Sequence, residues 1–223
     1  MTGPKAVINA RVIDGTGAEP IEDAVVLIRD GRTEAIGPAA EVQVPEDAEV
    51  IDAAGRTVMP GLVEGHAHVG GTTAAQQVLR LSLQRGITTI CSVSANRVGI
   101  ALRDGIEVRQ VRGCARLIAG CVVSPTFGHV RFRTADGPWE VRKAVREMVA
   151  LGADFIKTAA SGGFWGEDEV CSVRNYTLEE LEALVDEAHA WHRPVVVHAH
   201  TQPGINNAIA AGVDQIHHGA FID

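Results

Sequence analysis

The sequence predicts an α/β protein: an incomplete TIM-type (β/α)8 barrel of about six βα units, preceded by a small N-terminal β-sandwich. Three observations carry this. Residues 1–58 read as short strands parted by turn residues, with no helix-length periodic segment. Residues 59–223 switch to strand and helix in alternation. No GxGxxG opens that alternation, which favours a barrel over an open dinucleotide-binding sheet.

In the N-terminal part, KAVINARVI, DAVVLIRD and RTEAIG are β-rich, and Asp30-Gly31 between the last two is a hairpin signal. From Pro60 the strand LVEGHAHV precedes a helix over Thr73 to Gln84. ITTICSV, a helix near Val98 to Arg109, and ARLIAGCVV come next. A loop from Ser124 to Gly137 leads to the helix WEVRKAVREMVAL and the strand ADFIKTA. Thr177 and Glu180 have capping-box spacing, so a helix starts there and runs to about Trp191. PVVVHAH, the short helix INNAIAAG and VDQIHHG complete the series. A full barrel takes eight units and about 250 residues. Residues 60–223 reach only strand six, so the sequence reads as cut off in mid-barrel.

Composition excludes several classes. Charged residues are 22% and hydrophobic ones 46%, an ordinary globular balance with material for a core. The net charge of −8 and the lack of a basic run leave no nucleic-acid footprint. Cys91, Cys114, Cys121 and Cys171 match no zinc ribbon or CxxC spacing and read as reduced thiols. The N-terminus has no apolar h-region and no run is long enough to span a bilayer, so the expected compartment is the cytoplasm.

The chemistry concentrates in histidines. In a strand, residues i and i+2 share a face, so His66 and His68 point together. An isolated pair of this kind is equally well explained by two surface or core-satisfied histidines. HAH recurs as His198-Ala199-His200, and His217-His218 follows VDQI. Three predicted strands therefore end in histidines, at the end of a barrel where active sites lie. In ADFIKTA, Phe155 and Lys157 share a face; if Phe155 faces the barrel, so does Lys157. By spacing alone, a snorkelling or salt-bridged lysine is the better reading of Lys157.

PGLVEGHAHV, GADFIKTAASGG, VVVHAHT and IHHGAF together resemble the amidohydrolase superfamily. The chain is most similar to its imidazolonepropionase-like group, which includes Xaa-Pro dipeptidases. IDAAGRTVMPGL resembles the family's β-sandwich leading into strand one, so the resemblance covers essentially the whole chain. It implies two divalent metal ions, usually zinc, held by His66, His68, Lys157, His198 and His218. Lys157 would carry a bridging carbamate derived from carbon dioxide. His200 would lie near substrate, where it could assist catalysis if it points inward. His217, a strand neighbour of His218, should point the other way and stays outside the metal shell. Glu64 stands where many relatives have Asp. The family's strand-eight aspartate, which shuttles the proton, has no counterpart here.

The resemblance implies hydrolysis of amide or peptide C–N bonds, with a dipeptide or N-acyl amino acid as substrate. His129, Arg131 and Arg133 in SPTFGHVRFR are candidates to hold substrate, as are Arg174 and Tyr176. Each basic side chain there reads equally well as part of a solvated loop. Trp165 in SGGFWG could cover substrate or pack the loop down. Two other functions fit the same residues: an inactive truncated fragment that binds metal or partner proteins, and a mononuclear cyclic-amide hydrolase or deaminase. The expected partner is a small molecule or peptide, not nucleic acid or membrane. Two open sheet edges leave room for a homo-oligomer.

Overall fold

The computed structural model describes residues 3–69, 73–164 and 169–222. The chain divides into two compact units, residues 1–61 and 62–223.

The first unit is a five-stranded mixed sheet. Its strands are β1 (Lys5–Val12), β2 (Ile21–Arg29), β3 (Arg32–Pro38), β4 (Glu49–Asp52) and β5 (Thr57–Val58). β2 and β3 form the hairpin expected at Asp30-Gly31, with Arg29 paired to Arg32. Both turn residues have positive φ, 51° and 75°, as a two-residue type I′ turn requires. The short β4 and β5 both run parallel to β1, opposite its start and its end. They extend one sheet, whose core is Ala10, Val12, Ala24, Val26 and Ala53.

The second unit alternates as read. It contains β6 (Leu62–Ala67), α1 (Thr73–Gln84), β7 (Ile87–Ser92), α2 (Arg97–Glu107), β8 (Arg116–Ser124) and the short β9 (Arg133–Thr134). Then follow α3 (Pro138–Leu151), β10 (Phe155–Ala159), α4 (Leu178–Ala190), β11 (Val195–Thr201), α5 (Gln202–Ala211) and β12 (Gln215–Phe221). Six parallel strands lie side by side in chain order, β6-β7-β8-β10-β11-β12, with β9 attached to β8. This is an incomplete (β/α)8 barrel. Among the described residues no helix is long and apolar enough to cross a membrane.

Helical periodicity explains the outer layer. Val141, Ala144, Val145 and Met148 on α3 repeat at three- and four-residue steps and are buried. Leu181, Leu184, Val185 and Ala188 do the same on α4, and both sets join one core with β8, β10 and β11. The α4 capping box forms as its spacing predicts: Thr177 accepts from the Glu180 amide, and Glu180 accepts from the Thr177 amide. At the far end Asp214 accepts from the His189 ring at 2.9 Å and the Val195 amide at 2.7 Å. Burial pushes the Asp214 carboxyl up, but these hydrogen bonds and the His189 charge outweigh it and hold it below its ordinary value.

Inside the barrel, Val93, Phe155 and Val196 pack together with Cys91 and Ile118. Phe155 faces inward because Gly120, its partner on β8, has no side chain. A Cβ at Gly120 would lie 2.1 Å from two ring carbons of Phe155.

Two outcomes follow. Gly120→Ala should cost about 1–3 kcal/mol through overpacking, read from the urea midpoint, and Phe155→Leu in the same chain should restore part of it. The stability that Asp214 gives over Asp214→Asn should be full at neutral pH. Because its pKa is depressed in the fold, that advantage should fade as pH falls below about 4 in pH-dependent urea unfolding.

Candidate metal centre

The ends of β6, β10, β11 and β12 carry the histidines and the lysine singled out by sequence. With the loop after β8 they enclose a cavity of about 360 Å³. His66, His68, His129, His198, His200, His218 and Lys157 line it, and Val93, Val130 and Phe164 supply apolar wall. No carboxylate lines it among the described residues.

His198 and His200 alternate along β11 and both point in. Their rings lie 4.6 Å from each other, and 4.6 Å and 4.7 Å from His218. The three offer nitrogen atoms within 4.8 Å of one another, close enough to share one metal ion. His200, expected near substrate, thus stands inside the trio. His66 meets His218 at 4.8 Å and His68 at 5.4 Å, and His68 Nδ1 is 3.0 Å from Ser94 Oγ.

His217 does not line the cavity, yet its ring reaches His66. Simple alternation would turn it away from the face of His218. Between the pairs Ala199–His218 and Thr201–Phe221, however, β12 holds one residue more than β11. That bulge places His218 at φ 79° and Gly219 at φ 59°. A bulge re-aims side chains, and here both rings reach His66. His217 Nδ1 lies 2.7 Å from His66 Nδ1, although His217 does not line the cavity. The contact joins the first and last strands of the curled sheet.

Lys157 is 4% exposed, and its Nζ has no hydrogen-bond partner among the described residues. This rules out the snorkelling and salt-bridged readings. Burial pulls its pKa down to about 7. The imidazoles are affected in the same direction. Burial first, then the Lys157 charge and neighbouring rings, takes His66 to about 3. Burial and the nearby His129 take His198 to about 2, and burial with His200 and Lys157 takes His218 to about 4. Neutral rings keep a lone pair, the form that binds metal. His200 Nδ1 is a second buried atom with no partner among the described residues. Unpartnered buried nitrogens beside a three-imidazole cluster fit a divalent cation, and imidazole donors suit borderline ions.

The remaining candidates separate. His129 stacks on His198 at 3.9 Å and belongs to the site. Arg131 does not line the cavity: its guanidinium lies 4.6 Å over the Phe127 ring, and Nε donates to the Gly128 carbonyl. Arg133 is engaged by Glu140 and Glu147. Tyr176 is fully buried in the main core, where its hydroxyl donates to the Ala135 carbonyl at 2.9 Å. It is a packing residue, not a substrate contact. Arg174 is exposed and pairs through backbone with Ser161. Trp165 lies outside the described residues. Sequence reading missed Glu169, whose carboxylate is 3.0 Å from His129 Nδ1, and Phe164, 5.0 Å from the His200 ring. Glu169 sits in no motif, and Phe164 lies in SGGFWG beside Trp165, the aromatic that the sequence singled out instead.

A buried unpaired amine is costly without metal. Lys157→Met should therefore stabilise the chelator-treated chain by about 1–3 kcal/mol, measured by urea unfolding.

A family model described as the amidohydrolase family matches residues 57–223. The ochratoxinase of Aspergillus niger is 28% identical over 263 residues, covering 95% of this chain and 53% of that protein. The D-hydantoinase of Streptomyces coelicolor is 34% identical over 158 residues, covering 65% of this chain and 32% of that protein. The crystal structure of a Xaa-Pro dipeptidase with methionine bound in its active site superposes with a TM-score of 0.89 at 28% identity, covering 99% of this chain and 62% of that one. The chain spans about half the length of the ochratoxinase and less of the hydantoinase. The match over the barrel unit, with histidines and a lysine converging at its strand ends, leads to one conclusion: the chain belongs to the amidohydrolase family.

Proposed function

We propose that this chain serves a metal-dependent hydrolase of amide or peptide C–N bonds, acting on dipeptides or N-acyl amino acids. One observation carries the reading: Lys157, buried and unpartnered, opens into the same cavity as the His198–His200–His218 cluster. Similarity to a Xaa-Pro dipeptidase supports the substrate class.

His66, His68, Lys157, His198 and His218 would hold two divalent ions, zinc being the best match to these donors. When bound, the ions supply Lewis acidity and an activated water near neutral pH. Lys157 is prepared for its part by burial. In its neutral form the Nζ lone pair adds to the carbon of carbon dioxide, and the amine gives up a proton to solvent. The product is an anionic carbamate, which would provide a carboxylate where none lines the cavity among the described residues. His200 keeps an unpartnered Nδ1 with which to hold a proton near the departing nitrogen. Phe164 and Val93 exclude water from the apolar side of the cavity. His129, stacked on His198, is placed to meet a polar group of the substrate.

A second reading also has an observation behind it. The three-histidine cluster by itself fits one ion, and the chain is similar to a D-hydantoinase. A mononuclear cyclic-amide hydrolase or deaminase would use it.

Metal analysis after zinc and bicarbonate supplementation separates them. The favoured reading expects two ions per chain, falling toward one in Lys157→Ala, with turnover of Xaa-Pro dipeptides or N-acyl amino acids lowered by about 100-fold or more. One ion per chain, with Lys157→Ala still active on a cyclic amide, would select the second reading. Less than one ion per chain would sink both.

A further inference from the structure

Behind the cavity lining, His129 is paired with a carboxylate that the reading above does not use. His129 Nδ1 lies 3.0 Å and 3.2 Å from the two carboxylate oxygens of Glu169. The two residues are 40 apart in sequence, one in the loop after β8 and the other in the loop after β10. Both side chains are well shielded, at 8% and 17% exposure. One face of the His129 ring is stacked on His198.

Gly163 makes the couple sterically possible. A Cβ there would sit 2.5 Å from Nδ1 and Cε1 of His129 and 2.9 Å from a Glu169 oxygen. Backbone, ring and carboxylate are therefore packed too closely for any side chain at that position. A carboxylate facing one ring nitrogen dictates which nitrogen carries the proton. It accepts Nδ1–H, and Nε2 becomes the nitrogen on the opposite side of the ring.

We propose that Glu169 is a positioning residue: its carboxylate fixes the Nδ1–H form of His129 and turns Nε2 toward the substrate. The substrate role of His129 rests on the hydrolase reading above, whereas the Glu169–His129 coupling does not. Glu169 acts on the reaction through His129, a substrate contact, so its loss should lower kcat/KM.

The coupling is tested on the uniformly 15N-labelled, metal-free chain at mildly alkaline pH. Long-range 15N–1H spectra report which ring nitrogen is protonated, and His129→Gln assigns the signals. The wild type should carry the His129 proton on Nδ1. Glu169→Ala should move it to Nε2, and Glu169→Gln, which keeps an acceptor oxygen, should hold it on Nδ1. A wild-type proton on Nε2, or identical spectra for wild type and Glu169→Ala, would overturn the proposal. In the zinc-loaded chain, Glu169→Ala should lower kcat/KM for a dipeptide by about 10- to 100-fold, and Glu169→Gln should recover most of it. An unchanged kcat/KM in Glu169→Ala would also overturn it. Absence of turnover in the wild type would count against the hydrolase reading alone, and the tautomer spectra would still decide the role of Glu169.

Discussion

The packing of Phe155 against Gly120 fixes which face of β10 looks into the barrel. Alternation then leaves no choice for Lys157, two residues on, whose amine must enter the same interior. The apolar group of Val93, Phe155 and Val196 denies that amine any counter-charge. Histidines from β6, β11 and β12 close around it at the strand ends. One glycine facing one phenylalanine thus sets where the lysine enters this histidine-rich site.

Such a site is costly to the fold. Burial keeps the imidazoles neutral and pulls the lysine toward neutrality, and two nitrogens find no partner among the described residues. A native domain tolerates unsatisfied buried groups where something else answers for them. A modified amine would answer for Lys157, and a bound substrate for His200. Local strain points the same way: His218 takes a left-handed backbone conformation that a non-glycine residue adopts at an energetic cost. What the cost obtains is two rings, His217 and His218, delivered to His66 by adjacent residues.

Around this centre the loops divide the work. The loop after β8 sends His129 inward and turns Arg131 onto Phe127. The loop after β10 contributes Phe164 to the cavity, while Gly163 and Glu169 pack against His129. Distant segments thus define the wall opposite the strand ends, where a substrate's polar groups would be read.

Local pattern alone was enough for the alternating strands and helices, the Asp30-Gly31 turn, the α4 capping box, and the shared face of Phe155 and Lys157. Each rests on a period or a spacing of a few residues, which the chain cannot alter by folding. The histidine pairs were legible for the same reason. Tyr176 was misjudged because a tyrosine beside a loop looks the same whether its hydroxyl meets substrate or the Ala135 carbonyl. The reach of His217 to His66 depended on a bulge against β11, and the hold of Glu169 on His129 joined residues 40 apart. Those contacts exist only once the sheet has curled and its loops have packed. Short-range periodicity places a side chain on a face, while its partner across the barrel is set by register, strain and close packing between distant segments.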